Sequence, residues 1–117
     1  MKAQDLENRL INFAVSIIKG CKYLDKSFAS EHLSKQLIRS STSIALNYGE
    51  ARGGESTRDY LHKMKISLKE LRESYINLKI IKGAELMSKI ETLDQLIDEN
   101  NQLISIFVVS IKNTKTQ

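Results

Sequence analysis

Apolar residues return at three- and four-residue spacing in four separate stretches of this chain, with polar punctuation between them. That period is the mark of amphipathic helices. The first predicted helix covers residues 4–24 and aligns Leu6, Leu10, Phe13, Ile17, Cys21 and Leu24, with Ile11, Ala14 and Ile18 widening the same face. The second covers 30–51. Ser30 is its expected N-cap, Gly53-Gly54 its stop, and Leu33, Leu37, Ile44 and Tyr48 its apolar line. Small residues Ser40, Ser41 and Ala45 thin that line and let a neighbour approach closely. The third covers 56–81: Ser56 and Asp59 have capping-box spacing, Leu61, Met64, Leu68, Leu71, Tyr75 and Leu78 form a heptad seam, and Gly83 ends it. The fourth covers 89–112, announced by Ser88-x-x-Glu91, with Leu93, Ile97, Ile104, Phe107 and Ile111 inward and Asn100 interrupting them. Four such helices with short joints predict an all-α fold, a single antiparallel up-down four-helix bundle over 1–117, with residues 113–117 fraying.

On a wheel of about 100° per residue the third helix has three faces. The seam takes one. Lys63, Ser67, Glu70, Ser74 and Asn77 take the second, and Arg58, His62, Lys65, Lys69, Arg72 and Lys79 the third. Lys65–Lys69 and Lys69–Arg72 are like-charge neighbours, each costing an isolated helix about 0.2–0.5 kcal/mol. Two readings follow: a solvated face balanced in part by Glu73, or a stripe that holds a phosphate backbone through Arg58, Lys65, Lys69, Arg72 and Lys79. Ile66, Ile76 and Ile80 lie outside the seam, as Ile38 and Leu46 do on the second helix. Apolar residues displaced on two helices point to a second contact surface and hence to self-association.

A polar line also runs along the second helix through Ser43, Asn47 and Glu50, matching Lys63, Ser67 and Glu70 on the third. Its expected role is to hold register between helices or subunits. An enzyme using Glu50, Lys63 and Glu70 would require a closed pocket with strongly shifted pKa values around them. No nucleophile, metal cluster or phosphate-binding loop accompanies these residues. Asp59-x-x-His62 has the spacing of a metal pair, but His32 is the only other histidine and a di-metal bundle requires more ligands. No cofactor, metal or catalytic residue is therefore expected.

Composition sharpens the helical prediction: 117 residues contain no Pro and only five Gly. Lone Cys21 cannot form an internal disulfide and reads as a small core residue, with Met64 and Met87 as core filler. No leader-like run and no stretch of about 18 apolar residues is present, so the expectation is a cytoplasmic protein without a membrane partner. The net charge of +4 is uneven: residues 29–83 hold ten basic and six acidic groups, whereas 84–117 hold three and five. An anionic partner would meet the middle of the chain.

That middle, RSSTSIALNYGEARGGESTRDYLHKMKISLKELRESY, resembles the small bacterial four-helix-bundle family of proteins encoded in intervening sequences of 23S ribosomal RNA. Arg39, Ser43, Ile44, Asn47, Tyr48, Glu50 and Ala51 fit its second-helix pattern; Ser56, Asp59, Tyr60, Lys63, Met64, Ile66, Ser67, Leu68 and Glu70 fit its third. Gly49 stands where a larger residue is usual. The resemblance covers about forty residues and implies an up-down bundle assembled as a pentameric ring. It also implies RNA, DNA or a nucleic-acid-processing protein as partner, since a relative is the accessory protein of diversity-generating retroelements, a basic ring that binds nucleic acid and a reverse transcriptase. No catalytic residues come with it.

Overall fold

The amphipathic periods place four α-helices among residues 1–114, the part that the structure, a computed structural model, describes. They are α1 (Ala3–Gly20), α2 (Phe28–Arg52), α3 (Thr57–Gly83) and α4 (Ile90–Asn113). Asn113 still belongs to α4, and the rest of the tail expected to fray lies, from residue 115 on, outside the described residues.

Side-chain bonds between helices give the direction of each. Tyr48 Oη near the end of α2 donates to the Ala3 carbonyl at the start of α1. Lys63 pairs with Glu50, Ser67 Oγ donates to the Ile44 carbonyl, and Asn77 Nδ2 to the Leu33 carbonyl. Numbers rise along α3 as they fall along α2, so the pair is antiparallel. Ser74 with Asn100, and Lys82 with Asp94, run α4 antiparallel to α3. Arg9 closes the circle on α4, donating two bonds of 2.7 Å to the Glu99 carboxylate. The result is an up-down bundle of 49 × 22 × 20 Å.

The core is built from Leu6, Leu10, Phe13 and Ile17 of α1, Leu37, Ile44 and Tyr48 of α2, Met64, Leu71, Leu78 and Ile81 of α3, and Leu93, Leu96, Leu103 and Phe107 of α4, with Met87 beside them. Tyr48 and Phe107 meet edge to face at 5.8 Å. Gly20 lets α1 and α4 come together, because a Cβ there would sit 3.2 Å from Leu96 Cδ1.

Several local expectations change. The first helix stops at Gly20 rather than Leu24 and passes through a 3-10 turn, Cys21–Tyr23. Leu24 then pairs with Met87 in an isolated antiparallel bridge, with the Asp25 amide on the Leu86 carbonyl and the Ser88 amide on the Tyr23 carbonyl. This clasp ties two connections at one end of the bundle, and it takes Ser88 away from α4. The Ser88 hydroxyl also donates to Tyr23, and the cap of α4 is Lys89 with no side-chain bond, so the expected capping box is not formed. The N-cap of α2 is Ser27, whose Oγ accepts from the Ser30 amide; Ser30 lies inside the helix, buried, donating to Asp25. Ser56 does cap α3, accepting from the Asp59 amide.

The end of α3 is a Schellman motif. The Leu86 amide reaches the Ile81 carbonyl and the Glu85 amide that of Lys82, while Glu85 takes the left-handed conformation with φ 56°. Gly83, expected to be the stop, remains helical with a negative φ.

The buried faces also rotate against the predicted ones. Ile11 and Ile18 point outward with Val15, at 46, 49 and 41% exposure, while Ala14 is buried. On α3 the polar positions Ser67, Glu70, Ser74 and Asn77 are buried, and the seam residues Leu68 and Tyr75 only half-buried. On α4 Leu96, Asn100 and Leu103 are buried and Ile97, Ile104 and Ile111 half-buried. Cys21 is half-buried against the core, and burial pushes its thiol pKa up.

Candidate functional site

The outward face of α3 carries the basic stripe. Arg58, Lys65, Lys69, Arg72 and Lys79 are all exposed, and among the described residues none is in an ion pair with a carboxylate. The stripe extends about 31 Å at 1.5 Å per residue. Lys79 Nζ lies 5.7 Å from the Tyr75 ring centroid, which anchors the C-terminal cation beside the half-buried ring. His62 is exposed on the same face.

The middle of this stripe forms one side of a groove of about 680 Å³ between α2 and α3. From α3 it is lined by Lys65, Leu68, Lys69, Arg72, Glu73, Ile76, Asn77 and Ile80, and from α2 by Leu33, Gln36, Arg39 and Ser40. Two groups that the sequence kept apart thus meet: three candidate phosphate contacts and two candidate interface isoleucines share one depression. Ile76 and Ile80 are 57 and 49% exposed. They follow Lys69 and Arg72 by seven and eight residues, which places them on the same exposed side of the helix. Arg58, Lys79 and Ile66 lie outside the groove, and Ile66 is half-buried.

Between α2 and α3 the polar residues separate into local fasteners instead of one continuous line. Asn47 Nδ2 donates to Ser43 within α2, to its carbonyl at 2.9 Å and its hydroxyl at 3.0 Å. Glu50 and Lys63 meet at 3.4 Å near the surface. Ser67, without exposure, joins α3 to the Ile44 carbonyl at 3.1 Å. Glu70 is held by Arg39 at 2.8 Å, and the same guanidinium reaches Glu73 at 3.5 Å. Burial opposes the Glu70 charge, but hydrogen bonds from Glu73 and Arg39 outweigh it and hold the carboxyl below its usual pKa. Glu73, sharing that hydrogen bond with Glu70, is pushed up.

Three participants were not predicted as site residues. Arg39 stood out only as part of the second-helix pattern, yet its side chain crosses to α3 and borders the groove. Asn100 read as an interruption of an apolar face, and is the centre of a buried bond set: it accepts from Ser74 Oγ at 2.7 Å and donates to the Leu71 carbonyl at 2.9 Å. Asn77 donates to Leu33, while its buried Oδ1 has no donor. An Asn at a helix-face position flanked by apolar residues was the available signal for each buried amide.

No group of three or more His, Cys, Asp or Glu side chains among the described residues is arranged to hold a metal ion. Among the described residues no helix is long and apolar enough to cross a membrane.

Comparison with known proteins gives a family and a fold relative. The model of the 23S rRNA-intervening sequence protein family matches residues 3–108. A crystal structure of a protein with unknown function from the S23 ribosomal protein family of Bacteroides thetaiotaomicron VPI-5482 is similar to this chain with a TM-score of 0.82 and 27% identity, covering 97% of this chain and 100% of that one. No curated protein matches the chain.

Proposed function

This chain belongs to the 23S rRNA-intervening sequence protein family, and from that premise we propose that it is a non-enzymatic, homo-oligomeric protein that binds the backbone of RNA or DNA on the outward face of α3. The observation that carries the reading is the row of five exposed cations, Arg58, Lys65, Lys69, Arg72 and Lys79, none of them in an ion pair among the described residues, with the charge of Glu73 felt at Lys69. Unpaired cations along one helix face attract a polyanion, and each phosphate contact releases counterions. Among the polar residues, Glu50, Lys63, Ser67 and Glu70 keep α2 and α3 in register, while Ser43 and Asn47 brace α2 itself. Their pairing, Glu50 with Lys63 and Glu70 with Arg39, leaves no free acid/base couple and supports a non-catalytic role.

Salt dependence tests this directly. If all five cations contact phosphate, raising salt from about 50 to 200 mM weakens binding roughly 100-fold for a single strand and roughly 500-fold for a duplex. The Lys65→Glu/Lys69→Glu variant should remain folded, both positions being exposed, and lose binding. Unchanged affinity in that variant rules out the α3 stripe.

The family resemblance supports a pentameric ring as the assembly. Light scattering should then give several times the protomer mass of 13.3 kDa, whereas a clean monomer removes the ring. A second reading, a scaffold for a protein partner with no nucleic-acid role, is favoured by the apolar residues on the surface, Ile76 and Ile80 in the groove and Ile11, Val15 and Ile18 on α1. Its mark is salt-insensitive association with a protein and indifference to polynucleotides.

A further inference from the structure

The groove between α2 and α3 is not a plain cationic surface. Beyond the cations it offers apolar side chains to whatever the cations attract, Ile76 and Ile80 well exposed and Leu33 half-buried opposite them. Asn77, 8% exposed, also lines it; its amide N–H is used on Leu33, and its Oδ1, itself out of solvent contact, has no donor among the described residues. A buried acceptor left unbonded is costly, and a bound donor or a water relieves it.

These features sort nucleic acids by whether their bases are free. A duplex shows phosphate and sugar to such a groove and keeps its base faces stacked. It can use the cations, but it sets charged backbone against the isoleucines. An unpaired strand presents the same phosphates together with apolar base faces that are free to lie on the isoleucines. Lys65, Lys69 and Arg72 stand on successive turns of one helix, so they follow a strand laid along α3 towards Ile76 and Ile80. We infer that the α2–α3 groove is a single-strand site: the backbone rides on the lysine and arginine side chains and one or more unstacked bases rest on Ile76 and Ile80 beside Asn77. This rests on the reading of the α3 face as a nucleic-acid surface and adds what kind of nucleic acid it selects.

The test measures fluorescence anisotropy with a labelled single-stranded RNA of about 16 nucleotides and with the same strand annealed to its complement. Poly-glutamate serves as a base-free competitor. The expected result is single-strand affinity about tenfold above that of the duplex, with poly-glutamate a poor competitor at equal charge. The Ile76→Ser/Ile80→Ser variant, altered only at exposed positions, should keep the parent's light-scattering mass, lose about tenfold for the single strand and change duplex affinity less than about twofold; a variant whose mass falls places these isoleucines between subunits and overturns the base contact. Duplex binding as tight as single-strand binding, poly-glutamate competing equally well, or a serine variant that keeps the preference each overturns the single-strand site and leaves the basic face intact. Absence of binding to either RNA at low salt overturns the nucleic-acid reading itself, and this inference with it.

Discussion

The bond between Ser74 and Asn100 permits a prediction worked from geometry. Both side chains have no exposure; Ser74 Oγ donates to Asn100 Oδ1 at 2.7 Å and lies 3.0 Å from the Leu71 carbonyl. Ser74→Ala removes the donor and leaves Asn100 Oδ1 buried without a partner. A desolvated, unbonded acceptor costs about 2 kcal/mol, and the better helix propensity of Ala returns about 0.5. The expected loss is about 1.5 kcal/mol. In urea, with m near 1.5 kcal/mol/M, this lowers the midpoint by about 1 M without changing the slope. Asn100→Ala removes both bonds and leaves a small cavity, at about 2–3 kcal/mol. Once the amide is gone, Ser74→Ala orphans nothing further, so the double variant costs less than the two singles together by about 1–2 kcal/mol. All four proteins are measured at one concentration, because self-association would shift the midpoint with concentration. A Ser74→Ala loss below about 0.5 kcal/mol, or additivity within about 0.5, refutes the argument that an unsatisfied amide dominates.

Two other outcomes follow from local structure. Glu85 holds φ 56° at the end of α3, where glycine is unstrained, so Glu85→Gly should raise the melting temperature by a few degrees, about 0.5–1 kcal/mol, and Glu85→Val should lower it. Calorimetry of the two variants decides it, and a Glu85→Gly protein that melts earlier contradicts the assignment. Glu70, its folded pKa held low against burial, has Arg39 as the partner of its ionised form, and contributes stability that is present above its unfolded pKa of about 4.3 and lost as pH falls through the folded value. Glu70→Gln should therefore be less stable than the parent at pH 7, with the gap closing in acid. A gap that stays constant down to pH about 3 shows that the carboxylate charge is not responsible.

Much of the bundle was legible in the chain because it depends on local rules. The three-and-four spacing of Leu6, Leu10, Phe13 and Ile17 suffices to make α1, and Ser56 placed before Asp59 caps α3 without help from the rest of the fold. Boundaries and faces failed where a distant segment competed. Ser88 has the right neighbour for a capping box, yet Tyr23, remote in sequence, takes its amide and hydroxyl. Gly83 is the obvious helix stop, but the Leu86 amide returns to Ile81 and sets the left-handed residue two positions later. The candidate site divides in the same way. The five cations could be read from a wheel, whereas their convergence with Ile76, Ile80 and Arg39 on one groove depends on how α2 lies against α3.

The chain by itself determined four helices, their approximate lengths, a basic α3 and the family pattern from Arg39 to Glu70, since each arises from residues within a few turns of one another. Tertiary structure alone decided which helix faces are buried. The wheel favoured the heptad seam of α3, but the small Ser67 and Ser74 allow α2 and α4 to approach closely, and their hydroxyls find the Ile44 carbonyl and Asn100 there. Leu68 and Tyr75 are thereby turned halfway to solvent, because a helix buries the face that its neighbours can both reach and satisfy with hydrogen bonds.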